Sequence, residues 1–201
     1  MNRSISLFFV VNLLALALLP AVGHAAACPT NKTLDQFPGA ACEIGDMTFA
    51  KFQVSGQTAL GAKIVPKDIL VSWSWDKNKS TATINFGFSG QNNPVLSVGQ
   101  NQTASATISY GVAAGKKKTL TDASISMSDT AEHTGSASFD EKVGGKMKLL
   151  ATDQGKKTTN NSPQNLGVAA VTVEDVATAM GGIAANGSAD ISSISATFTE
   201  K

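Results

Sequence analysis

The dominant pattern after residue 45 is alternation of apolar and polar positions with a period of two. Apolar side chains occupy every second position from Ile69 to Trp75, with Leu70, Ser72 and Ser74 between them. The same alternation recurs over residues 81–88 and 104–112, and in shorter runs over 124–127, 136–139, 146–151, 168–173 and 191–198. Because successive side chains of a strand point to opposite faces, each run predicts a strand with one buried face.

Polar clusters of Gly, Asn and Pro separate these runs, at residues 76–79, 89–94, 115–118, 144–145 and 154–163. Short strands with such breaks predict an all-β protein, an antiparallel β-sandwich of immunoglobulin-like or jelly-roll-like type. A short helix is expected at residues 33–37, and a weaker helix signal covers residues 174–180, before Gly181 and Gly182.

The N-terminus has the three regions of an export signal. Arg3 is followed by an apolar run from Ile5 to Leu19, then by Pro20 and small residues that fit a signal-peptidase site. The run is shorter than the roughly 20 residues that a membrane-spanning helix needs. We therefore predict a cleaved signal peptide at residues 1–27 and a single β-sandwich domain at residues 28–201, with no membrane span after cleavage.

Two cysteines, Cys28 and Cys42, remain in the predicted mature chain. In an exported protein they permit one intramolecular disulfide, which is stable in an oxidising compartment and contributes about 3 kcal/mol in the chain-entropy model. The alternative is lipidation of Cys28, because Ala25-Ala26-Ala27-Cys28 weakly matches a lipoprotein box. We expect the disulfide, since the apolar run ends well before Cys28 and Ala25 replaces the usual larger aliphatic residue.

Composition argues against nucleic acid as a partner. Arg3 is the only arginine among the 16 basic residues, so the predicted mature chain carries 15 lysines against 15 acidic residues. Phosphate-binding proteins usually present arginines on a basic face. The one dense basic cluster, Lys116-Lys117-Lys118, is expected to be a solvated hairpin tip.

No catalytic constellation stands out. His133 is the only histidine after the signal peptide and lies in residues 128–135, which we interpret as a turn between strands. A triad could be assembled from Ser126, His133 and Asp129, but a triad is recognised by geometry that a sequence does not contain. Phosphate-binding glycine loops are absent. We predict that the protein is not an enzyme and has no cofactor.

Acidic residues offer no metal site and no evident carboxylate pair. An Asp-x-Asp-x-Asp calcium loop is absent. The doublets Asp140-Glu141 and Glu174-Asp175 are adjacent residues, which point to opposite faces of a strand. The two acids of a glycosidase must lie roughly 5–10 Å apart across a cleft, and nothing in the sequence singles out such a pair.

The aromatic residues Trp73, Trp75 and Tyr110 are the candidate ligand-binding side chains. Trp73 and Trp75 share a strand face with Ile69 and Val71, and this periodicity favours a place in the core. The alternative is an exposed aromatic platform on which a sugar ring stacks.

A family resemblance begins with Cys28 and continues in the segment Cys42-Glu43-Ile44-Gly45-Asp46-Met47-Thr48-Phe49-Ala50-Lys51-Phe52. This segment resembles the start of a family of exported bacterial β-sandwich proteins, many of which end in a PEP-CTERM sorting tail. The resemblance continues through residues 108–112, 121–125 and 189–198 and so spans the predicted mature chain.

Two features depart from the family pattern. The chain ends at Thr199-Glu200-Lys201 with no sorting tail, and no further cysteine occurs near residues 141–144. The resemblance implies no enzyme activity and a place in the bacterial envelope or exopolysaccharide matrix. The missing tail favours a released or periplasmic protein over an anchored one; periplasm and medium both remain open.

These observations lead to one functional expectation and three alternatives. We expect a secreted, non-catalytic structural or interaction protein of the bacterial envelope or extracellular matrix, whose partners are polysaccharide or matrix proteins. The first alternative is a polysaccharide-binding or adhesive module that uses Trp73, Trp75 and Tyr110. A hydrolase with His133 or a carboxylate pair in a cleft is the next, and a pilus-type subunit that polymerises by strand exchange is the last.

Overall fold

A computed structural model describes residues 25–37, 39, 41–90, 93–145, 147–154, 158–160 and 166–201. These residues form strands and turns, and no α-helix occurs among them. The strands are β1 Ala26–Ala27, β2 Lys32–Thr33, β3 Ala41–Ile44, β4 Met47–Gln57, β5 Leu70–Asp76, β6 Thr81–Gly87, β7 Ser89–Gly90, β8 Asn93–Pro94, β9 Ser97–Val98, β10 Thr103–Ala113, β11 Leu120–Glu132, β12 Ser136–Val143, β13 Met147–Asp153, β14 Thr158–Asn160, β15 Ala170–Met180 and β16 Ser188–Glu200.

The strands pair into two large sheets, as a β-sandwich requires. Sheet A has the order β1-β3-β4-β10-β15-β12-β13-β14, and all of its pairings are antiparallel except that of β1 with β3. Sheet B has the order β11-β16-β6-β5-β2, and β9 also pairs with β16. The short strands β7 and β8 form a separate hairpin. The prediction of an all-β fold with two sheets is confirmed.

The core lies between the sheets and is built from the alternation that the sequence shows. On β6, Ala82, Ile84 and Phe86 are buried, while the threonines and the asparagine between them are half-buried. On β10 the buried face carries Ala104, Ala106, Ile108, Tyr110 and Val112. Each inward face therefore matches the apolar phase of its sequence run.

Both helix predictions are wrong in kind. The helical loop expected at residues 33–37 is not supported, because the segment contains only the three-residue 3-10 turn Leu34–Gln36. Beyond that one turn its backbone bonds to the neighbouring chain: β2 pairs with β5, and the Leu34 N–H donates to the carbonyl of Ile69, just before β5, at 2.9 Å. Residues 174–180 lie inside β15, which pairs along its length with β10 and β12. Neighbouring strands outweigh local propensity at such a position.

Strand β4 was not recognised in the sequence because its alternation changes phase. Met47 and Phe49 are buried, but the next large apolar side chains are Phe52 and Val54. Lys51 has a φ of 59°, and the register with β10 shifts between Ser109 and Gly111, which together mark a β-bulge. The extra residue moves the apolar positions from odd to even numbers while keeping them on the inward face.

The predicted signal peptide, residues 1–27, lies outside the described residues apart from its last three. Ala26 and Ala27 pair with Cys42 and Glu43 of β3, so the described chain begins as part of sheet A. The cleavage position stays a prediction. No helix of the described residues is long and apolar enough to cross a membrane.

Candidate functional site

An acid pair lies inside the sandwich, on two adjacent strands of sheet A. Glu141 of β12 is the direct cross-strand partner of Asp175 of β15. Both occupy inward positions, flanked along their strands by Phe139 and Val143 and by Val173 and Ala177, all of which are buried. Side chains directly opposite each other on one face of an antiparallel pair have Cβ atoms about 5 Å apart. The two carboxyl groups are therefore neighbours, and both residues are 0% exposed.

Tyr110 of β10 closes the same cluster from the other side of β15. Its ring packs among four phenylalanines from both sheets, with centroid distances of 5.5 Å to Phe52, 5.6 Å to Phe86, 6.3 Å to Phe198 and 6.4 Å to Phe49. Its hydroxyl is buried and interacts with the Asp175 carboxyl. Tyr110 thus joins the aromatic part of the core to the acid pair.

The polar atoms of this cluster are incompletely satisfied. Five buried oxygen atoms, namely the Tyr110 hydroxyl and both carboxyl oxygens of Glu141 and Asp175, have no partner that meets hydrogen-bond geometry. The groups nevertheless lie close enough that Tyr110 and Glu141 both affect the protonation of Asp175. Buried polar atoms are usually paired, so a cluster of this kind requires a physical explanation.

Burial raises the pKa of Asp175, Glu141 and Tyr110. Desolvation raises the pKa of Asp175 to about 8, although its contacts with Tyr110 and Glu141 act in the opposite direction. Desolvation, and then the charge of Asp175, raise the pKa of Glu141 well above its usual range. The pKa of Tyr110 is raised by desolvation and by both acids. In a low-dielectric interior two adjacent carboxylates cannot both ionise cheaply, which is why the pKa values of the pair are raised.

A second buried acid has a different environment. Glu200 of β16 is 3% exposed, and its carboxylate accepts hydrogen bonds from Lys118 Nζ at 2.7 Å and from the Gly115 N–H at 2.6 Å. Lys118 also donates to Asp46 at 2.7 Å, and the bonds to Asp46 and then to Glu200 raise the pKa of the lysine. This network ties the β10–β11 connection to the β3–β4 turn and to the last strand.

The disulfide predicted from the sequence is confirmed. Cys28 and Cys42 are joined, with their Cα atoms 4.7 Å apart. Cys28 follows β1 and Cys42 lies in β3, so the bond fastens the N-terminal segment to the edge of sheet A. The structure describes no free cysteine.

The two tryptophans lie where this N-terminal segment meets sheet B. Trp73 and Trp75 are half-buried, pack against the core and face the same side of β5 as Val71. Trp73 Nε1 donates a hydrogen bond to the Cys28 carbonyl at 2.9 Å. The Trp75 indole lies directly over Gly45, whose φ is +61° and at which a Cβ would fall 2.2 Å from the ring. Their ligand-binding role stays a prediction.

Tyr110 is not beside the tryptophans on a shared surface. It is 1% exposed and belongs to sheet A, whereas both tryptophans belong to sheet B. A sugar outside the molecule cannot stack on a ring enclosed in this way. The three aromatic residues proposed from the sequence therefore do not form one exposed platform.

The other candidates from the sequence are on the surface, apart from Asp129, which is buried. His133 is exposed with a φ of 54°, as expected of a turn residue. The predicted turn at 128–135 is shorter than expected, because β11 continues to Glu132 and buries Asp129. Lys116 and Lys117 are exposed between β10 and β11. Among the described residues, no group of three or more His, Cys, Asp or Glu side chains could hold a metal ion.

The outer face of sheet B carries rows of hydroxyl and amide side chains, which we call the hydroxyl face. Strand register aligns its two central rows across β5, β6, β16 and β11: Ser74, Thr83, Thr197, Ser124 and Ser72, Asn85, Ser195, Ser126. Hydrogen bonds join neighbours within the rows, at 2.9 Å between the Thr83 and Thr197 hydroxyls and also from Ser195 to Asn85. Adjacent strands place these side chains roughly 4.8 Å apart.

Sequence reasoning did not find the acid pair, although a signal was present. In the alternation of β12 and β15, Glu141 and Asp175 occupy the inward phase, where every described neighbour is apolar. Within one strand the two members of each doublet, Asp140-Glu141 and Glu174-Asp175, point to opposite faces. Pairing of β12 with β15 brings one member of each doublet together.

Comparison with known proteins adds little. No family model matches the sequence, and no curated protein matches it. Among solved structures the chain is similar to one described as TmCBM61 in complex with β-1,4-galactotriose, at 11% identity and a TM-score of 0.35, over 88% of this chain and 99% of that chain. At that TM-score we base no functional argument on the likeness.

Proposed function

We propose that this chain is an exported, non-catalytic structural or interaction protein of the bacterial envelope or extracellular matrix. The export signal predicted at residues 1–27 supports this proposal, and so does the disulfide, a bond that persists in oxidising compartments. The resemblance to exported β-sandwich proteins agrees with it, and we propose that the chain belongs to that family.

The hydroxyl face is the observation that carries the proposal. Its two central rows contain hydroxyl and amide groups and no ionisable side chain. Hydroxyl groups donate and accept hydrogen bonds, so a row of them matches neutral, hydroxyl-rich polymers better than charged ones. A flat array held by backbone pairing also requires little ordering when a partner binds.

The buried acids support the non-catalytic part of the proposal. The carboxyl groups with the most perturbed protonation, Asp175 and Glu141, are 0% exposed and face the core. A general acid or base must come within hydrogen-bond reach of its substrate. His133, which could serve as a base, lies in an exposed turn.

The part of β5 that carries Trp73 and Trp75, which we call the tryptophan edge, supports a second candidate, a polysaccharide-binding module. Trp73 and Trp75 retain partial exposure next to the disulfide segment, and both are held in place, Trp73 by its bond to the Cys28 carbonyl and Trp75 by Gly45. A fixed indole that is half exposed can stack on a sugar ring from one side.

The test is binding of the exported protein to a panel of neutral and acidic polysaccharides, measured by affinity electrophoresis and by tryptophan fluorescence. Replacing Thr83 and Thr197 by Val removes two bonded hydroxyls of the hydroxyl face with little change in shape. We expect this variant to bind a neutral glycan about tenfold more weakly, as the loss of one or two net hydrogen bonds implies. Thr178→Val, on the outer face of sheet A, is the matched control and should bind normally.

The outcomes separate the candidates. Unchanged binding by the Thr83→Val/Thr197→Val variant, together with loss of binding by Trp75→Ala, would move the site to the tryptophan edge. Release of reducing sugar from any polysaccharide would contradict the non-catalytic proposal. Failure of the wild-type protein to bind any glycan or envelope fraction would contradict an interaction role.

A further inference from the structure

We propose that Asp175 and Glu141 form a proton-holding pair that makes the stability of the sandwich depend on pH. The inference concerns the core and is independent of the proposed function. It stands on the placement of three side chains: two acids directly opposite each other on β12 and β15, and Tyr110 approaching from β10.

The first step is the absence of a compensating base. The charged or ionisable side chains that are buried in the described part of the chain, apart from Tyr110, are all acids: Asp129, Glu141, Asp175 and Glu200. A buried carboxylate is stable only when a cation or several hydrogen-bond donors balance its charge. No described lysine or histidine is buried, so none can balance Asp175 or Glu141 inside the core. The five buried oxygen atoms of Tyr110, Glu141 and Asp175 have no partner that meets hydrogen-bond geometry.

The second step considers what faces the pair from the elements packed against it. β10 contributes Tyr110, and the described side chains of β13, Leu149 to Thr152, contain no ionisable group. β11, which packs beside β12 and β13, contributes the buried Asp129, and β16 contributes Glu200, which is paired with Lys118. Acidic and basic neighbours on the outer side of the same sheet are Asp140, Lys142 and Glu174.

The third step identifies the balancing charge as a proton. Ca²⁺ takes six to eight oxygen ligands, whereas this cluster offers five side-chain oxygens, one of them a phenol. A proton on either carboxyl removes a negative charge and supplies a donor to a neighbouring oxygen. The aspartic-protease dyad follows the same principle in a solvent-accessible site.

The sign of the pH effect follows from linkage. In the unfolded chain both carboxyls ionise near pH 4. In the folded chain Asp175 keeps its proton until the pH approaches about 8, and Glu141, whose pKa the charge of Asp175 raises, ionises after Asp175. Above about pH 4 the folded state therefore binds more protons than the unfolded chain, so stability is fully present below about pH 4, falls as the pH rises, and falls less steeply once Asp175 ionises above about pH 8. Each retained proton lowers the folding equilibrium constant about tenfold per pH unit.

The experiment is urea unfolding of the exported, disulfide-bonded protein from pH 5 to pH 9. Asp175→Asn and Glu141→Gln each neutralise one member of the pair, and Glu174→Gln is the matched control, adjacent in sequence but exposed and bonded to Lys142. We expect a loss of about tenfold per pH unit for each retained proton, so the loss should be steepest in wild type and in Glu174→Gln, smaller in each single variant, which keeps one buried acid, and absent in the double variant. Equal pH dependence in wild type and the double variant would overturn the proposal.

A second measurement does not depend on the variants folding. Infrared spectra of the folded wild-type protein in D₂O at pH 7 should contain the C=O band of a protonated carboxylic acid, and the band should weaken as the pH passes about 8. Absence of that band at pH 7 would overturn the proposal. So would a stoichiometric divalent metal retained by the purified protein, because a metal would replace the proton.

Discussion

The two regions in which this molecule buries acids balance the charge in different ways. Glu200, at the end of the sandwich, has a lysine and a backbone N–H as direct partners. Asp175 and Glu141, on two inner strands of sheet A, have each other, Tyr110 and no described base. Both regions bury their carboxyl groups, and among the described residues only the first region contains a cation.

Depth explains the difference. Lys118 belongs to the β10–β11 connection, and its side chain remains 32% exposed while its ammonium reaches Glu200. A lysine can do this at the rim because its long apolar stem spans the boundary between core and solvent. β15 and β12 each have neighbours on both sides in sheet A, and their inner faces are covered by sheet B. At that depth a proton is the smallest charge that neutralises a carboxylate without opening the core.

The largest expected effect comes from removing the ring of Tyr110, which joins the aromatic part of the core to the acid pair. Tyr110→Ala leaves a cavity among four phenylalanines, and we expect a loss of about 3–5 kcal/mol in the free energy of unfolding. Water entering the cavity should also lower the pKa of Asp175 and weaken the pH dependence. Phe49→Ala, from the same aromatic cluster, should cost a similar amount and leave the pH dependence intact. Equal pH profiles in the two variants would argue against the contact between Tyr110 and Asp175.

A smaller effect is expected at the compensated acid. Glu200→Gln keeps an acceptor for the Gly115 N–H but loses the charge that Lys118 approaches at 2.7 Å. Charge-assisted hydrogen bonds contribute more than neutral ones, so we expect a loss of about 1–3 kcal/mol. Urea unfolding should show this loss, with the pH dependence between pH 5 and pH 8 unchanged. Asp46→Asn, which alters the exposed partner of the same lysine, should lose much less.

A gain in stability from Glu200→Gln at pH 8 would contradict the distinction between the Glu200 region and the Asp175–Glu141 region. It would mean that Glu200, like Asp175, is buried without adequate compensation. A double-mutant cycle with Lys118→Met measures the coupling of the two side chains directly.

The smallest effect concerns the hydroxyl of Tyr110. Tyr110→Phe preserves the ring and removes one buried oxygen, so we expect a change within about 1 kcal/mol at pH 6. The hydroxyl lowers the pKa of Asp175, so its loss should raise that pKa and move the pH at which the loss of stability becomes less steep to a higher value. The pH series of unfolding midpoints checks this. A shift of that pH to a lower value would contradict the assigned interaction.

Much of the fold was predictable from the order of apolar and polar residues. The alternation over 81–88 and 104–112 predicted which faces of β6 and β10 are buried, because strand geometry is local and a side chain two positions away faces the same way. The disulfide followed equally simply from two cysteines in a chain predicted to be exported. β4 was missed because a bulge at Lys51 changed the phase of its alternation.

The inward phase of Glu141 and Asp175 was visible in the sequence, but their pairing was not, for a different physical reason. Residues 174–180 carry a helix signal, and Asp175 becomes an inward-facing strand residue only because β10 and β12 pair with β15 on both sides. Glu141 lies 34 positions before Asp175, and register, which no local pattern encodes, sets them opposite each other.

The sequence by itself determined the fold class, the buried faces of most strands and the disulfide, since these depend on side-chain polarity at fixed local spacing and on a count of cysteines. Only the tertiary structure decided that Tyr110 is enclosed, that Trp73 and Trp75 are fastened to the disulfide segment, and that Glu141 meets Asp175. The physical reason is that pairing between distant strands sets both the neighbours and the dielectric surroundings of a side chain, and those surroundings determine whether an acid is ionised.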